Sequence, residues 1–306
     1  MVKRRLAMSE IVKVEQLKKY FPVQKGLIEQ LFTRKMRYVK AVDEVTISIK
    51  KGEIFTLAGE SGCGKTTTGR LVVKLIKPTS GKIYFNGEDI TNLKGEKLRL
   101  LRRKMQIIFQ DPYASLNPRM KLGAAVGHPL EIHGLAKGEE KKKLVLDVLN
   151  KVGLAPPEQF INLYPHQLSG GQRQRAALAR STILKPEFIV ADEPVSMIDV
   201  SIRTTIIDLM LDLRKELELT YLFITHDLAV AKYISDRIAI MYLGKIVEMG
   251  YKKELFSIPS HPYAQALLSA VPVPSVERKR KVIELKGEVP SAINIPSGCR
   301  FHPRCR

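Results

Sequence analysis

The chain has 306 residues, 44% of them hydrophobic and 27% charged, which suits one large or two modest globular domains. Lys and Arg number 51 against 31 Asp and Glu, and the net charge of +20 favours anionic partners: nucleotides, nucleic acid or an anionic membrane face. Three cysteines exclude a disulfide scaffold, and no apolar run nears the roughly 18–20 residues that cross a bilayer.

The basic start Met1-Val2-Lys3-Arg4-Arg5 is followed by no apolar signal core, so a cytoplasmic protein is expected. Ile11 to Phe21 alternates as an edge strand, and a basic connector runs on to about Tyr38. Val42 to Ile49 alternates apolar and polar, the pattern of a half-buried strand. A Lys51-Gly52 turn leads into Glu53 to Ala58, an apolar strand aimed at a Gly-rich loop. Gly81 to Phe85 is a further strand, closed by an Asn86-Gly87 turn.

From about Thr91 to Leu184 the pattern is mainly helical, with Gln106 to Phe109 a short strand inside it. The Lys-rich stretch Lys137 to Lys143 reads as a solvated helix face. Strands return at Phe188 to Ala191 and Tyr221 to Thr225, with a helix from Ser201 to Leu217 between them. This alternation predicts a parallel sheet covered on both faces. Arg237 to Leu243 and Lys245 to Met249, joined at Gly244, predict a closing hairpin. After about Ala270, Val271-Pro272-Val273-Pro274 and Glu277 to Lys281 read as a linker.

Gly59-Glu60-Ser61-Gly62-Cys63-Gly64-Lys65-Thr66 fits G-x-x-x-x-G-K-[ST] at every fixed position, between a predicted strand and a predicted helix. Glycines let the backbone wrap a phosphate, and the positive end of the following helix adds to the attraction. Ser61, Gly62, Cys63, Gly64, Lys65, Thr66 and Thr67 are therefore the expected phosphate contacts. Lys65 is expected to bridge the β- and γ-phosphates, and the Thr66 hydroxyl to bind Mg²⁺. Phe188 to Asp192 is a buried-strand pattern ending in an acid, where α/β sheets place their ligands. Asp192 suits Mg²⁺, and Glu193 beside it suits polarising an attacking water. The alternative is a pair of capping acids at a strand end.

Five motifs in order over roughly residues 10 to 270 resemble those of the ATP-binding cassette (ABC) ATPases. Besides the loop and Asp192-Glu193, Gln110 resembles the Q-loop glutamine, which contacts Mg²⁺ or the lytic water. Ser196-Met197-Ile198-Asp199 is similar to the D-loop, where Asp199 would bridge two subunits. His226 resembles the switch histidine at the γ-phosphate. The resemblance implies a catalytic set of Glu193, His226, Gln110 and Lys65. Leu168-Ser169-Gly170-Gly171-Gln172 resembles the family signature. It opens a helix through Arg173 to Leu184, so its N–H groups and the Ser169 hydroxyl can meet an anion. In a head-to-tail pair each signature would cap the ATP of the other subunit. Phe21 best fits the adenine-stacking aromatic, with Tyr20 and Tyr38 as alternatives.

The fold implied is an α/β P-loop NTPase with a RecA-like core sheet, an antiparallel β subdomain and a helical subdomain at about 91–184. The ATPase domain would span 1–270 and a short C-terminal extension 271–306. Within the family the chain is similar to the oligopeptide and dipeptide importer group in Leu17 to Val23, Asp111 to Pro118, Tyr164 to Gln167, His261 to Tyr263 and the tail Gly287 to Arg306. That implies an ATP hydrolase, using ATP and Mg²⁺, that powers import of dipeptides or oligopeptides from the cytoplasmic face of the membrane. Its implied partners are a second, different ATPase subunit, two transmembrane permease subunits and an extracytoplasmic substrate-binding protein. Alternatives are nickel or oligosaccharide cargo, or a soluble ABC ATPase acting on nucleic acid or the ribosome. No nucleic-acid partner is expected, because neither a coiled-coil insertion nor a second cassette occurs. Cys299-x5-Cys305 is similar to the start of a four-cysteine motif that can hold a [4Fe–4S] cluster in this group. Four thiolates are the usual requirement, so a cluster is expected only if the chain continues past Arg306.

Overall fold

The computed structural model describes residues 9–23, 36–271 and 283–305. The basic connector and the Pro-rich linker fall largely on 24–35 and 272–282, outside the described residues. The strands, in chain order, are β1 (Glu10–Pro22), β2 (Tyr38–Lys50), β3 (Ile54–Ala58), β4 (Ser80–Phe85), β5 (Glu88–Asp89), β6 (Met105–Ile108), β7 (Phe188–Asp192), β8 (Thr220–Thr225), β9 (Arg237–Tyr242) and β10 (Lys245–Tyr251). The chain divides into two units, one of Met1–Lys50, Ile54–Asn92 and Thr225–Arg306, the other of Lys51–Glu53 and Leu93–Ile224.

The first unit holds an antiparallel sheet in the order β2-β1-β4-β5. β1 is not the edge strand its polar alternation suggests. It bonds β2 from Glu10 opposite Lys50 to Pro22 opposite Tyr38, and β4 from Val12 opposite Phe85 to Lys18 opposite Ser80. Its charges mark a solvent face rather than an edge: Lys13 pairs with Glu15 at 2.7 Å and Lys18 with Glu44 at 2.9 Å, while Val12, Val14 and Leu17 are buried. The expected Asn86-Gly87 turn joins β4 to β5 with both residues at positive φ, as a tight hairpin needs.

In the same unit β3 runs parallel to β9, and β9 antiparallel to β10, the expected hairpin. Its turn places Leu243 at φ 43, an uncommon conformation for a side chain of that size. Three contacts hold it there. The Leu243 side chain is buried, its carbonyl accepts from the Arg300 guanidinium, and Asp43 N–H donates to Gly244 O at 2.8 Å.

The C-terminal segment completes this unit's core. Phe301 lies against Tyr242 and Tyr263, with ring centroids 5.4 and 5.3 Å away. Arg300 also forms an ion pair with Asp43, both side chains only 9% exposed, and the Tyr20 hydroxyl donates to the same carboxylate at 2.5 Å. Burial pushes the Asp43 carboxyl up, but the bonds from Tyr20 and Arg300 outweigh it and hold it below the ordinary aspartate value. Arg300→Ala strands that charge and should destabilise the chain by about 3–5 kcal/mol at neutral pH. Because the folded pKa is depressed, the pair's contribution is full above the unfolded aspartate value of roughly 4 and disappears as pH falls through the folded value. The gap in thermal midpoint between wild type and variant should therefore close in acid. Equal midpoints at pH 7 would refute this role for the pair.

The second unit holds β6, β7 and β8 in parallel, with Met105 opposite Phe188 and Phe188 opposite Thr220. β7 and β8 are buried throughout, which explains their unbroken apolar runs. The helices Leu122–Ile132, Gly138–Lys151 and Gly170–Thr182 pack against one another. The Lys-rich face is solvated as expected and partly neutralised: Lys141 reaches Glu131 at 2.5 Å and Lys151 reaches Glu216 at 2.8 Å. No described helix is long and apolar enough to cross a membrane.

Candidate nucleotide site

The Gly-rich loop links β3 to the helix Lys65–Val72. Two of its glycines are required by the strands around it. Gly59 and Gly64 sit at φ 152 and 107. A Cβ at Gly59 would lie 2.2 Å from Met241 O, and one at Gly64 would lie 2.1 Å from Ala41 O. The loop is thus pressed against the backbones of β9 and β2, while Ser61 and Gly62 face solvent.

Lys65 is buried, and its ammonium donates to Gly59 O at 2.7 Å and Glu60 O at 2.9 Å. Burial raises the Cys63 thiol above its usual range although Lys65 opposes the shift, so the group is a buried, protonated thiol. Thr68 donates to Gly64 O at 3.0 Å and ties the first helical turn to the loop. A glycine cradle with an ammonium at its base suits a polyphosphate.

The loop's outer support leaves no mark in the sequence. Glu60 accepts from both Arg304 nitrogens, at 2.7 and 3.2 Å, and its N–H donates to the Tyr263 hydroxyl at 3.1 Å. Nothing in a linear reading distinguishes Arg304 from the many other basic residues.

His226 directly follows β8 and is exposed; Asp227 caps the helix Leu228–Ile234 through Ala229 and Val230 N–H. Among the three candidate aromatics, Phe21 and Tyr38 are 38% and 41% exposed, whereas the Tyr20 hydroxyl is bonded to Asp43 and is pushed up to about 12 by burial and that carboxylate. Lys19 lies over the Phe21 ring, 5.0 Å from its centroid.

Cys299 and Cys305 are exposed and form no disulfide. Among the described residues no group of three or more His, Cys, Asp and Glu is placed to hold a metal. The cluster expectation therefore finds no support in the described residues, because two thiolates fall short of the required four.

In the second unit Asp192 is buried at the end of β7, and Glu193 follows at φ 47. That left-handed conformation is costly for a non-glycine residue and is fixed by three bonds. Glu193 N–H donates to Ile224 O at 2.9 Å, and Glu193 O accepts from Ser196 N–H at 3.1 Å and the Ser196 hydroxyl at 2.9 Å. The strand-end turn aims the carboxylate at Gln110, whose amide donates to Glu193 Oε2 at 3.0 Å. The sequence spacing of 83 residues hides that contact.

Ser169 caps the helix Gly170–Thr182: its hydroxyl accepts from Gln172 N–H at 3.3 Å, and Gln172 Oε1 accepts from Ser169 N–H at 2.9 Å. The helix starts at the signature itself, as expected, because this reciprocal cap sets Gly170 as its first residue. The Gln172 side-chain oxygen is thus engaged in shaping the loop.

The segment after Gln110 is tied to the same helix. Arg173 stacks its guanidinium 3.8 Å from the Tyr113 centroid, and Arg180 donates to Ser115 O at 2.6 Å. Asp199 is exposed and precedes the helix Val200–Leu217, beside exposed Met197 and Val200.

A glycine loop between strand and helix, a buried lysine at its base and a glutamine-oriented carboxylate after a buried strand define a P-loop nucleotide-binding protein. Residues 42–196 match the ABC transporter family, and residues 247–306 match the oligopeptide/dipeptide transporter C-terminal region. The chain is 52% identical over 300 residues to the oligopeptide transport ATP-binding protein AppF of Bacillus subtilis (strain 168), covering 96% of this chain and 89% of the relative. It is 46% identical over 290 residues to the dipeptide transport ATP-binding protein DppF of Escherichia coli (strain K12), covering 95% and 85%. Its fold matches the dimeric structure of an ATP-binding cassette in a post-hydrolysis state bound to ADP and Pi, with a TM-score of 0.68 and 32% identity over 79% of this chain and 98% of that one. This chain belongs to the ATP-binding proteins of ABC transporters, in the oligopeptide/dipeptide group. Membership makes it an ATP hydrolase that uses ATP with Mg²⁺.

Proposed function

We propose that this chain is the ATP-hydrolysing subunit of an importer that carries dipeptides or oligopeptides across the cell membrane. The observation that carries the reading is the match of residues 247–306 to the oligopeptide/dipeptide C-terminal region, on a chain whose relatives are described as peptide-transport ATP-binding proteins. The loop from Ser61 to Thr67 holds the phosphates, with the Lys65 ammonium, oriented by its loop carbonyls, reaching the β- and γ-oxygens. Thr66, Asp192 and Gln110 hold Mg²⁺, which when bound neutralises charge on the phosphate oxygens.

Glu193 takes a proton from the attacking water, its carboxylate oriented by the Gln110 amide. His226 meets the γ-phosphate, and Phe21 stacks on adenine. Ser169, Gly170 and Gly171 present a helix N-terminus to the ATP of a second subunit, Gln172 shapes that loop, and Asp199 bridges the pair. The partners are a second, different ATPase subunit, two permease subunits and an extracytoplasmic binding protein, with the chain at the cytoplasmic face.

Reconstitution tests this. The chain, copurified with a second cassette and two multi-spanning subunits into proteoliposomes, should hydrolyse ATP faster when peptide and binding protein are supplied. Absence of any membrane subunit on purification, combined with stimulation by DNA or ribosomes, would overturn the reading.

A further inference from the structure

The geometry points to Arg304 as a positioning residue for nucleotide binding: we propose that it holds the phosphate loop through Glu60. The inference rests on the loop's proposed role as the ATP phosphate cradle.

Glu60 is the second residue of the loop and is gripped at three points. Its carboxylate accepts both Arg304 nitrogens, its N–H donates to Tyr263, and its carbonyl accepts the Lys65 ammonium at 2.9 Å. Arg304 is itself fixed. It is 7% exposed, its Nε donates to Lys286 O at 3.3 Å, and its guanidinium lies 5.9 Å from the Tyr242 ring centroid. The neighbouring Phe301 is wedged between Tyr242 and Tyr263. A continuous path therefore runs from the aromatic anchor, through a two-pronged ion pair, to the carbonyl that orients Lys65.

A planar guanidinium on a carboxylate fixes direction as well as distance, which a lysine point charge does not. Releasing Glu60 lets its carbonyl turn, and the ammonium loses its alignment. The C-terminal segment thereby becomes part of the nucleotide site without touching nucleotide.

A double-mutant cycle read by calorimetric titration of the full chain with MgATP tests this, below the melting temperature of every variant. Arg304→Gln and Glu60→Gln should each weaken MgATP about tenfold, and the double variant no more than either single, because the pair acts as one unit. Arg304→Lys should recover only part of the loss. Single variants that bind MgATP like wild type while melting earlier would reduce the pair to a staple and overturn the proposal, as would losses that add. Lys65→Ala in the same titration separates the two levels of inference. Wild-type affinity in that variant would sink the phosphate-loop reading itself, whereas its loss of binding beside unaffected Arg304 and Glu60 variants would sink only the positioning role.

Discussion

Glu193→Gln should lower ATP turnover of the assembled pair by about 10²–10⁴-fold while leaving MgATP binding intact. The substitution is close to isosteric and leaves the turn alone. The bonds to Ile224 O and from Ser196 are backbone bonds or accept at the main-chain carbonyl, so they survive. The side chain at 193 can still accept from Gln110 through its amide oxygen. What it loses is the ability to take a proton. A pair that binds but cannot hydrolyse should stay closed, and size-exclusion chromatography with MgATP should show a stable dimer. Undiminished turnover would remove Glu193 from the general-base role.

Ser169→Arg should reduce turnover by about 100-fold or more in a pair carrying it on both chains, because in the proposed trans arrangement the new side chain blocks the donors that would face the neighbour's nucleotide. Binding of MgATP to the single mutant chain should be unchanged. Ser169 sits at an exposed helix start and is no part of the phosphate loop. Loss of the cap should cost about 1 kcal/mol, since Gln172 N–H gives up its side-chain acceptor. Titration of the isolated variant decides the matter: collapse of its own MgATP binding would mean the loop serves its own chain, and the trans arrangement would be wrong.

Where local chemistry determines geometry, the sequence was readable. The phosphate loop, the Asn86-Gly87 turn, the apolar β7 and β8, and the hairpin around Gly244 each follow from residues adjacent in the chain. The signature helix starts where Ser169, Gly170 and Gly171 place it and ends at Thr182, two residues short of the expected Leu184. β1 reads as an edge strand because charges alternate on its solvent face, and a single strand does not reveal how many neighbours it has. The contacts between distant residues were beyond reach. Gln110 with Glu193, Arg300 with Asp43 and Arg304 with Glu60 join positions far apart in sequence, and their residue types are common on any basic surface.

The clamp that Arg173 and Arg180 place on Tyr113 and Ser115 has a mechanical consequence. Two arginines seven positions apart on one helix grip the segment after Gln110 at separate points, one by stacking and one at a backbone carbonyl. A load applied to that segment is therefore passed to the helix that Ser169 caps, and the two travel in step. The helix acts as a lever arm, with a handle in residues 111–118 and a tip at the Ser169 cap.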